Sequence, residues 1–215
     1  MNALFNPRVL GAGFLLAAAG VLALYGQPDL EQKWAFMAPE YASRLEFREV
    51  YIDPAELLRL INDDYIELVI YDVRDERDWN IFHLADSERI DLKNLPTQLK
   101  RLRGLSELGV VVVVSNDEIL ATRAWKQLMA LAKPNVYILE GGINHWLNIY
   151  GVVDEEHEHG TASLARPDGT LRHPFKLALG ARHAAARPDE HLVPHREYTE
   201  KVKLLKKVKK AGGCD

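Results

Sequence analysis

The sequence predicts an α/β fold: a central parallel sheet flanked by helices, preceded by one transmembrane helix and followed by an extended C-terminal arm. Three observations predict it. Apolar, β-branched runs at 66–73, 109–115 and 136–140 alternate with segments of helical periodicity, the wiring of a parallel sheet with helices on both faces. Val9 to Pro28 is a stretch of 20 residues without a charge. Beyond Gly151 the apolar periodicity stops and prolines punctuate the chain.

The apolar stretch comes first in the chain. A helix rises about 1.5 Å per residue, so roughly 20 residues cross the hydrocarbon of a bilayer. A cleaved signal peptide needs small residues at a small-x-small exit. Here the exit reads Leu22, Ala23, Leu24, Tyr25, Gly26, which favours an uncleaved anchor over residues 1–28. Asp29 and Glu31 follow it, and the positive charge of Arg8 before it favours the N-terminus inside. The predicted location is therefore the bacterial cytoplasmic membrane, single-pass, with the soluble domain periplasmic. Residues 29–46 read as a polar linker with room for a short helix.

A domain follows over 47–150. "REVYI" is a short strand. Asp53-Pro54-Ala55-Glu56 starts a helix, with an acid at the cap, proline in the first turn and Glu three after the cap. Leu57, Leu58, Leu60 and Ile61 give that helix its apolar face. "IELVIYDV" is a buried strand and "LPTQLKRLRGL" a helix. Val110 to Val114 form the next strand, and Glu118 to Ala132 a helix with apolar residues three and four apart. "VYILE" is a strand that ends in the Gly141-Gly142 turn, where glycine lets the chain swing sharply into a final helix.

Four pieces of this domain resemble the rhodanese-like family. "YIDPAELLRLI" resembles its opening strand and helix. "YDVRDERDWNIFHLADS" resembles the signature carried here by Asp72, Val73, Arg74, Asp78, Trp79 and His83. "VVVVVS" resembles the strand that delivers the active-site loop, and "VYILEGGINHW" the closing motif, with Gly141, Gly142 and Trp146 in place. The resemblance implies a three-layer domain. In it Asp72 caps neighbouring backbone, Trp79 and Trp146 are core or core-edge aromatics, and His83 is a structural histidine. It also implies an active-site cysteine first in the loop, followed by glycine, arginine and serine.

That cysteine position falls on Ser115. The loop continues Asn116, Asp117, Glu118, Ile119, Leu120, with no glycine and with Leu120 at the arginine position. Sulfur transfer needs a thiolate that can carry a second sulfur; a serine hydroxyl offers neither the anion nor the bond. Asp117 and Glu118 would also repel an anionic donor. The expectation is a domain without catalytic residues. The only cysteine, Cys214, excludes an internal disulfide framework and a CxxC site.

The arm, 151–215, opens with "DEEHEHG", whose His157 and His159 are a candidate metal pair, two ligands short of a full tetrahedral site. "SLARPDGTLRH" reads as two short strands about a Pro-Asp-Gly turn. The arm lacks apolar residues for a core of its own. Phe175, Leu177, Leu179, Leu192 and Val193 would therefore lay it on a partner. Seven Lys/Arg between Arg196 and Lys210 form a basic tail, suited to an anionic membrane or an acidic protein face. The net charge of −4 gives no ground for nucleic-acid binding.

The function expected from these readings is a membrane-anchored, catalytically inactive rhodanese-like protein. It would serve as an interaction or structural accessory subunit of a bacterial membrane complex. Its partners would be the bilayer and membrane protein subunits reached through the transmembrane helix and the arm, and no cofactor is expected. Two alternatives stand beside this. One is sulfur handling by Cys214, swung on Gly212-Gly213. The other is metal binding at His157 and His159.

Overall fold

The structure is a computed structural model that describes residues 7–25, 29–131, 135–151, 168–172, 179–193 and 195–204, with side chains in the first helix from 11 to 20. The chain enters through two helices, α1 (Pro7–Tyr25) and α2 (Leu30–Glu46). The alternating unit follows: β1 (Tyr51–Ile52), α3 (Pro54–Ile61), β2 (Glu67–Asp72), α4 (Glu76–Ile81) and β3 (Ser87–Arg89). A 3₁₀ turn over Leu92–Gln98 leads through α5 (Leu99–Gly104) to β4 (Gly109–Val114), α6 (Ile119–Ala130), β5 (Val136–Leu139) and α7 (Gly142–Tyr150).

All strand pairs are parallel and the sheet order is β1-β5-β4-β2-β3. β4 lies at the centre, between β2 and β5, and all six of its residues are buried. Its valines alternate between the two faces, as a strand requires. Val110, Val112 and Val114 join the layer of Leu57, Leu60, Ile143, Trp146 and Leu147 from α3 and α7. Val111 and Val113 join Trp125, Leu128, Leu95 and Leu102 on the other side. A continuous valine run therefore serves a sheet covered on both faces.

The segment expected as a linker departs from that expectation. Residues 30–46 form one 17-residue helix, closed at its start by a capping box between Asp29 and Gln32. Trp34 and Tyr41 meet the buried ring of Trp125 edge-on, with centroids 5.8 and 6.4 Å apart. Leu45 extends the same stripe. Spacings of seven and four residues align these three side chains on one face, so the helix docks along a narrow, mostly aromatic seam.

Residues 11–20 of α1 are all apolar, and Phe14, Leu15 and Leu16 among them are exposed. Among the described residues no helix is long and apolar enough to cross a membrane.

The arm corrects a second expectation. Its described residues lie on the domain of the same chain, not away from it. Ala185, Ala186 and Val202 enter the core layer of α3 and α7, with Leu171, Val193 and Leu204 packed beside them. Leu179 and Leu192, expected as anchors, are exposed; Phe175 and Leu177 lie outside the described residues. Backbone recognition does most of the fastening. The indole of Trp146 donates to the Ala185 carbonyl at 2.7 Å, and the Ala85 N–H donates to that of Ala186 at 2.9 Å. No strand forms among residues 168–172; they make a turn about Gly169.

Glu56 is a fully buried fastener. Its carboxylate accepts the N–H groups of Lys201 at 2.9 Å and Val202 at 2.8 Å. Burial pushes its pKa up, and the two N–H donors pull part of the way back. A carboxyl whose folded pKa is raised contributes most below its unfolded pKa and loses that contribution as pH rises through the folded value. The variant Glu56→Gln should therefore gain on the wild type as pH rises from the ordinary glutamate range, about 4.3, through the raised folded pKa. The measurement is the difference in urea midpoints across that range; a difference independent of pH would contradict the assignment.

Candidate functional site

Three parallel strands deliver their carboxyl ends to one edge of the sheet, where ligand sites of open α/β folds are built. β2 brings Asp72 and Arg74, β4 brings residues 115–118, and β5 brings Gly141 and Gly142. The loop between β4 and α6 is four residues long, and its first three, Ser115, Asn116 and Asp117, are buried.

The Ser115 hydroxyl is engaged on both sides. It donates to the Asp117 carbonyl at 2.6 Å and accepts from the Ala121 N–H at 3.1 Å. Its backbone carbonyl accepts the Ile143 N–H at 2.8 Å, and the carbonyl of Asn116 accepts that of Asn144 at 3.0 Å. The loop is thus zipped to the start of α7. Gly142 makes the zip possible: at φ +65° a Cβ there would stand 2.5 Å from the carbonyl oxygens of both Ser115 and Asp117.

Asn116 is held from below by Arg74. The guanidinium, with 1% of its side chain exposed, grips the fully buried Asp72 carboxylate through Nε and Nη2 at 2.9 and 2.6 Å. It also donates to the Phe82 carbonyl at 2.7 Å and to Asn116 Oδ1 at 3.1 Å. Asp72 accepts the Arg74 N–H as well, at 3.0 Å. With Asn116 Oδ1 facing inward, its Nδ2 faces outward, where it donates to the Asp78 carboxylate and to the Gly169 carbonyl at 2.8 Å.

The two loop carboxylates do not point into a common pocket, which corrects the expectation that both oppose an anion there. Asp117 accepts the Ile119 N–H through Oδ1 and the Gly169 N–H through Oδ2, both at 2.8 Å. Glu118 turns to the opposite side, taking both terminal nitrogens of Arg48 at 3.1 and 2.6 Å and the Gly141 N–H at 2.8 Å. The paired carboxylates raise the pKa of Arg48, Glu118 first and Glu140 with it. Arg48 itself sits at φ +55°, aimed back at the loop across 70 residues of sequence. Ile119 is exposed and Leu120 partly buried against the α6 layer.

Of the remaining signature residues, Trp79 and His83 are half-buried. His83 stacks on Trp79, with ring centroids 3.7 Å apart, and its Nδ1 lies 2.9 Å from the Trp79 carbonyl. The His83 N–H donates to the Gly180 carbonyl of the arm at 3.3 Å. Trp146 is wholly buried.

The family model described as the rhodanese-like domain matches residues 53–149. Those residues form a rhodanese-like domain. Among solved structures, a Bacillus halodurans protein is 24% identical over 50% of this chain and 78% of its own, with a TM-score of 0.40. A rhodanese-related protein from Thermoplasma volcanium is 22% identical over 45% of this chain and 89% of its own, with a TM-score of 0.37. A full-length Lactobacillus plantarum protein is 18% identical over 51% of this chain and 92% of its own, with a TM-score of 0.40. No curated protein matches the chain.

The structure brings Asp72, Arg74, Asn116, Asp117, Gly142 and the arm's Gly169 together at one end of the rhodanese-like domain. Cys214, His157 and His159 lie outside the described residues. Among the described residues, no group of three or more His, Cys, Asp or Glu side chains is placed to hold a metal ion. Sequence reading missed Arg48, Asn144 and Gly169. Arg48 lies before the first strand, and the other two are a helix residue and a turn glycine whose partners are distant in the chain.

Proposed function

We propose that this is a membrane-anchored, catalytically inactive rhodanese-like protein that serves as an interaction or structural accessory subunit of a bacterial membrane complex. One observation carries the loss of catalysis. The side chain where the family resemblance puts the sulfur nucleophile is a serine hydroxyl, buried and hydrogen-bonded on both sides within its own loop. Residues 11–20 of α1, all apolar and with Phe14, Leu15 and Leu16 exposed, support the anchor, since a segment apolar on every side needs an apolar surround.

The chain purified from membranes is expected to show no thiosulfate:cyanide sulfurtransfer above background. Ser115→Cys should remain near background too. The new thiol would be buried beside the Asp117 carbonyl oxygen, whose partial negative charge opposes a thiolate, and burial opposes it further. Robust turnover by the wild type would overturn the inactive assignment. Turnover by Ser115→Cys would show that the loop still forms an anion cradle. The accessory role is tested by mild detergent extraction, where stoichiometric membrane proteins should co-purify; a clean monomer removes that role.

A further inference from the structure

We propose that the loop after β4 is a binding site for peptide backbone, and that the arm segment Asp168–Arg172 is its resident ligand. Three domain side chains, Asn116, Asp117 and Asn144, hydrogen-bond this segment. Asp117 Oδ2 accepts the Gly169 N–H and Asn116 Nδ2 donates to the Gly169 carbonyl, each at 2.8 Å. Asn144 Nδ2 donates to the Thr170 carbonyl at 2.8 Å, and its Oδ1 accepts the Arg172 N–H at 2.7 Å. Each of these bonds ends on the main chain of the segment. The set reads an N–H, two carbonyls and an N–H in order, recognition through main-chain hydrogen bonds.

The readers are set before the ligand arrives. Asn116 is oriented by Arg74, Asp117 by the Ile119 N–H, and Asn144 sits on the helix whose N–H at that position is bonded to the Asn116 carbonyl. The ligand is pre-shaped as well. Asp168 Oδ1 accepts the Thr170 hydroxyl and N–H at 2.7 and 3.0 Å and meets Arg172 at 2.7 Å. Gly169 adopts φ +77° with no atom within 4 Å of where a Cβ would stand. Pre-organisation on both sides reduces the ordering cost of association. The ligand class is therefore an extended peptide turning through a left-handed glycine. The chain's own segment holds the site because its tether keeps its local concentration high.

The inference rests on reading the loop as a binding site and not a catalytic one. Sulfur transfer by the wild type would defeat the proposed function while leaving the following outcomes to be read on their own. In the full chain labelled with ¹⁵N, the amides of Gly169 and Arg172 should exchange at least about ten-fold slower than in unstructured peptide. Asn144→Ala should abolish the protection at Arg172 and reduce it at Gly169, while Val202, bonded to Glu56, stays protected and reports an intact fold. Unprotected Gly169 and Arg172 in the wild type, or protection unchanged by Asn144→Ala, overturns the proposal.

Gly169→Pro, which removes the N–H and forbids the positive φ, should vacate the site. A synthetic peptide of residues 166–173 should then shift the side-chain amide signals of Asn116 and Asn144 saturably in that variant. The shift should be much smaller in the wild type. Absence of shifts in Gly169→Pro, or equal shifts in both proteins, would show that the loop does not bind peptide.

Discussion

Arg74→Met is expected to destabilise the domain by roughly 3–5 kcal/mol, the cost of leaving a buried charge without its partner. Asp72, with none of its side chain exposed, would keep a single backbone donor, the N–H of residue 74. The Phe82 carbonyl and Asn116 Oδ1 would each lose a donor as well. The second replacement, Asp72→Asn in the Arg74→Met background, removes the unpaired charge and should recover a substantial part of the loss. Urea denaturation of the three proteins measures both steps. A wild-type midpoint for Arg74→Met, or no recovery in the double variant, would mean that the pair is not what holds the loop to the sheet.

Gly142→Ala should cost on the order of 3 kcal/mol or more, from left-handed strain and collision together. The added methyl would meet two carbonyl oxygens at 2.5 Å and the Asn116 carbonyl carbon at 2.8 Å. These are backbone atoms, so no rotamer change relieves the clash. Gly169→Ala is the matching control, since its φ is also positive but its Cβ position is open. It should lose only about 1–2 kcal/mol. Thermal unfolding of the pair separates strain from collision; equal losses would show that the loop can move away from Gly142.

How much of this was legible in the sequence depends on the kind of signal. The central strand could be read because five consecutive valines suit only a strand buried on both faces. The helix start at Asp53 and the Gly141-Gly142 turn could be read because each needs a particular residue at one position. α2 could not be seen to dock, because Trp34, Tyr41 and Leu45 are spread over a segment of mixed polarity that also contains Pro39. β3 was missed because Ser87-Glu88-Arg89 is a polar edge of three residues that pairs only with β2. The arm was misjudged for a different reason. Its buried residues are two alanines and a valine, and their placement owes more to carbonyl and amide groups than to side chains. Main-chain hydrogen bonding has no residue-type signature.

At the site, the serine and the missing glycine were visible from the letters alone. The directions of Asp117 and Glu118 were not. One carboxylate is claimed by a glycine 52 residues later and the other by an arginine 70 residues earlier. Charge composition placed both on the loop without showing that each faces its own partner.

The ties that Lys201 makes to β1 and to Glu56 have a further consequence, for biosynthesis. Lys201 Nζ donates to the Tyr51 carbonyl across 150 residues, and the Val202 N–H reaches Glu56 across 146. Contacts this distant in sequence slow the search for the native state, because the intervening loop must close before they are formed. At about 5–20 residues added per second, Lys201 leaves the ribosome's catalytic centre on the order of 10 s after Tyr51. During that interval the layer around Trp146 and Leu57 waits for its last residues, and a nascent chain with an open apolar face is a natural client for chaperones.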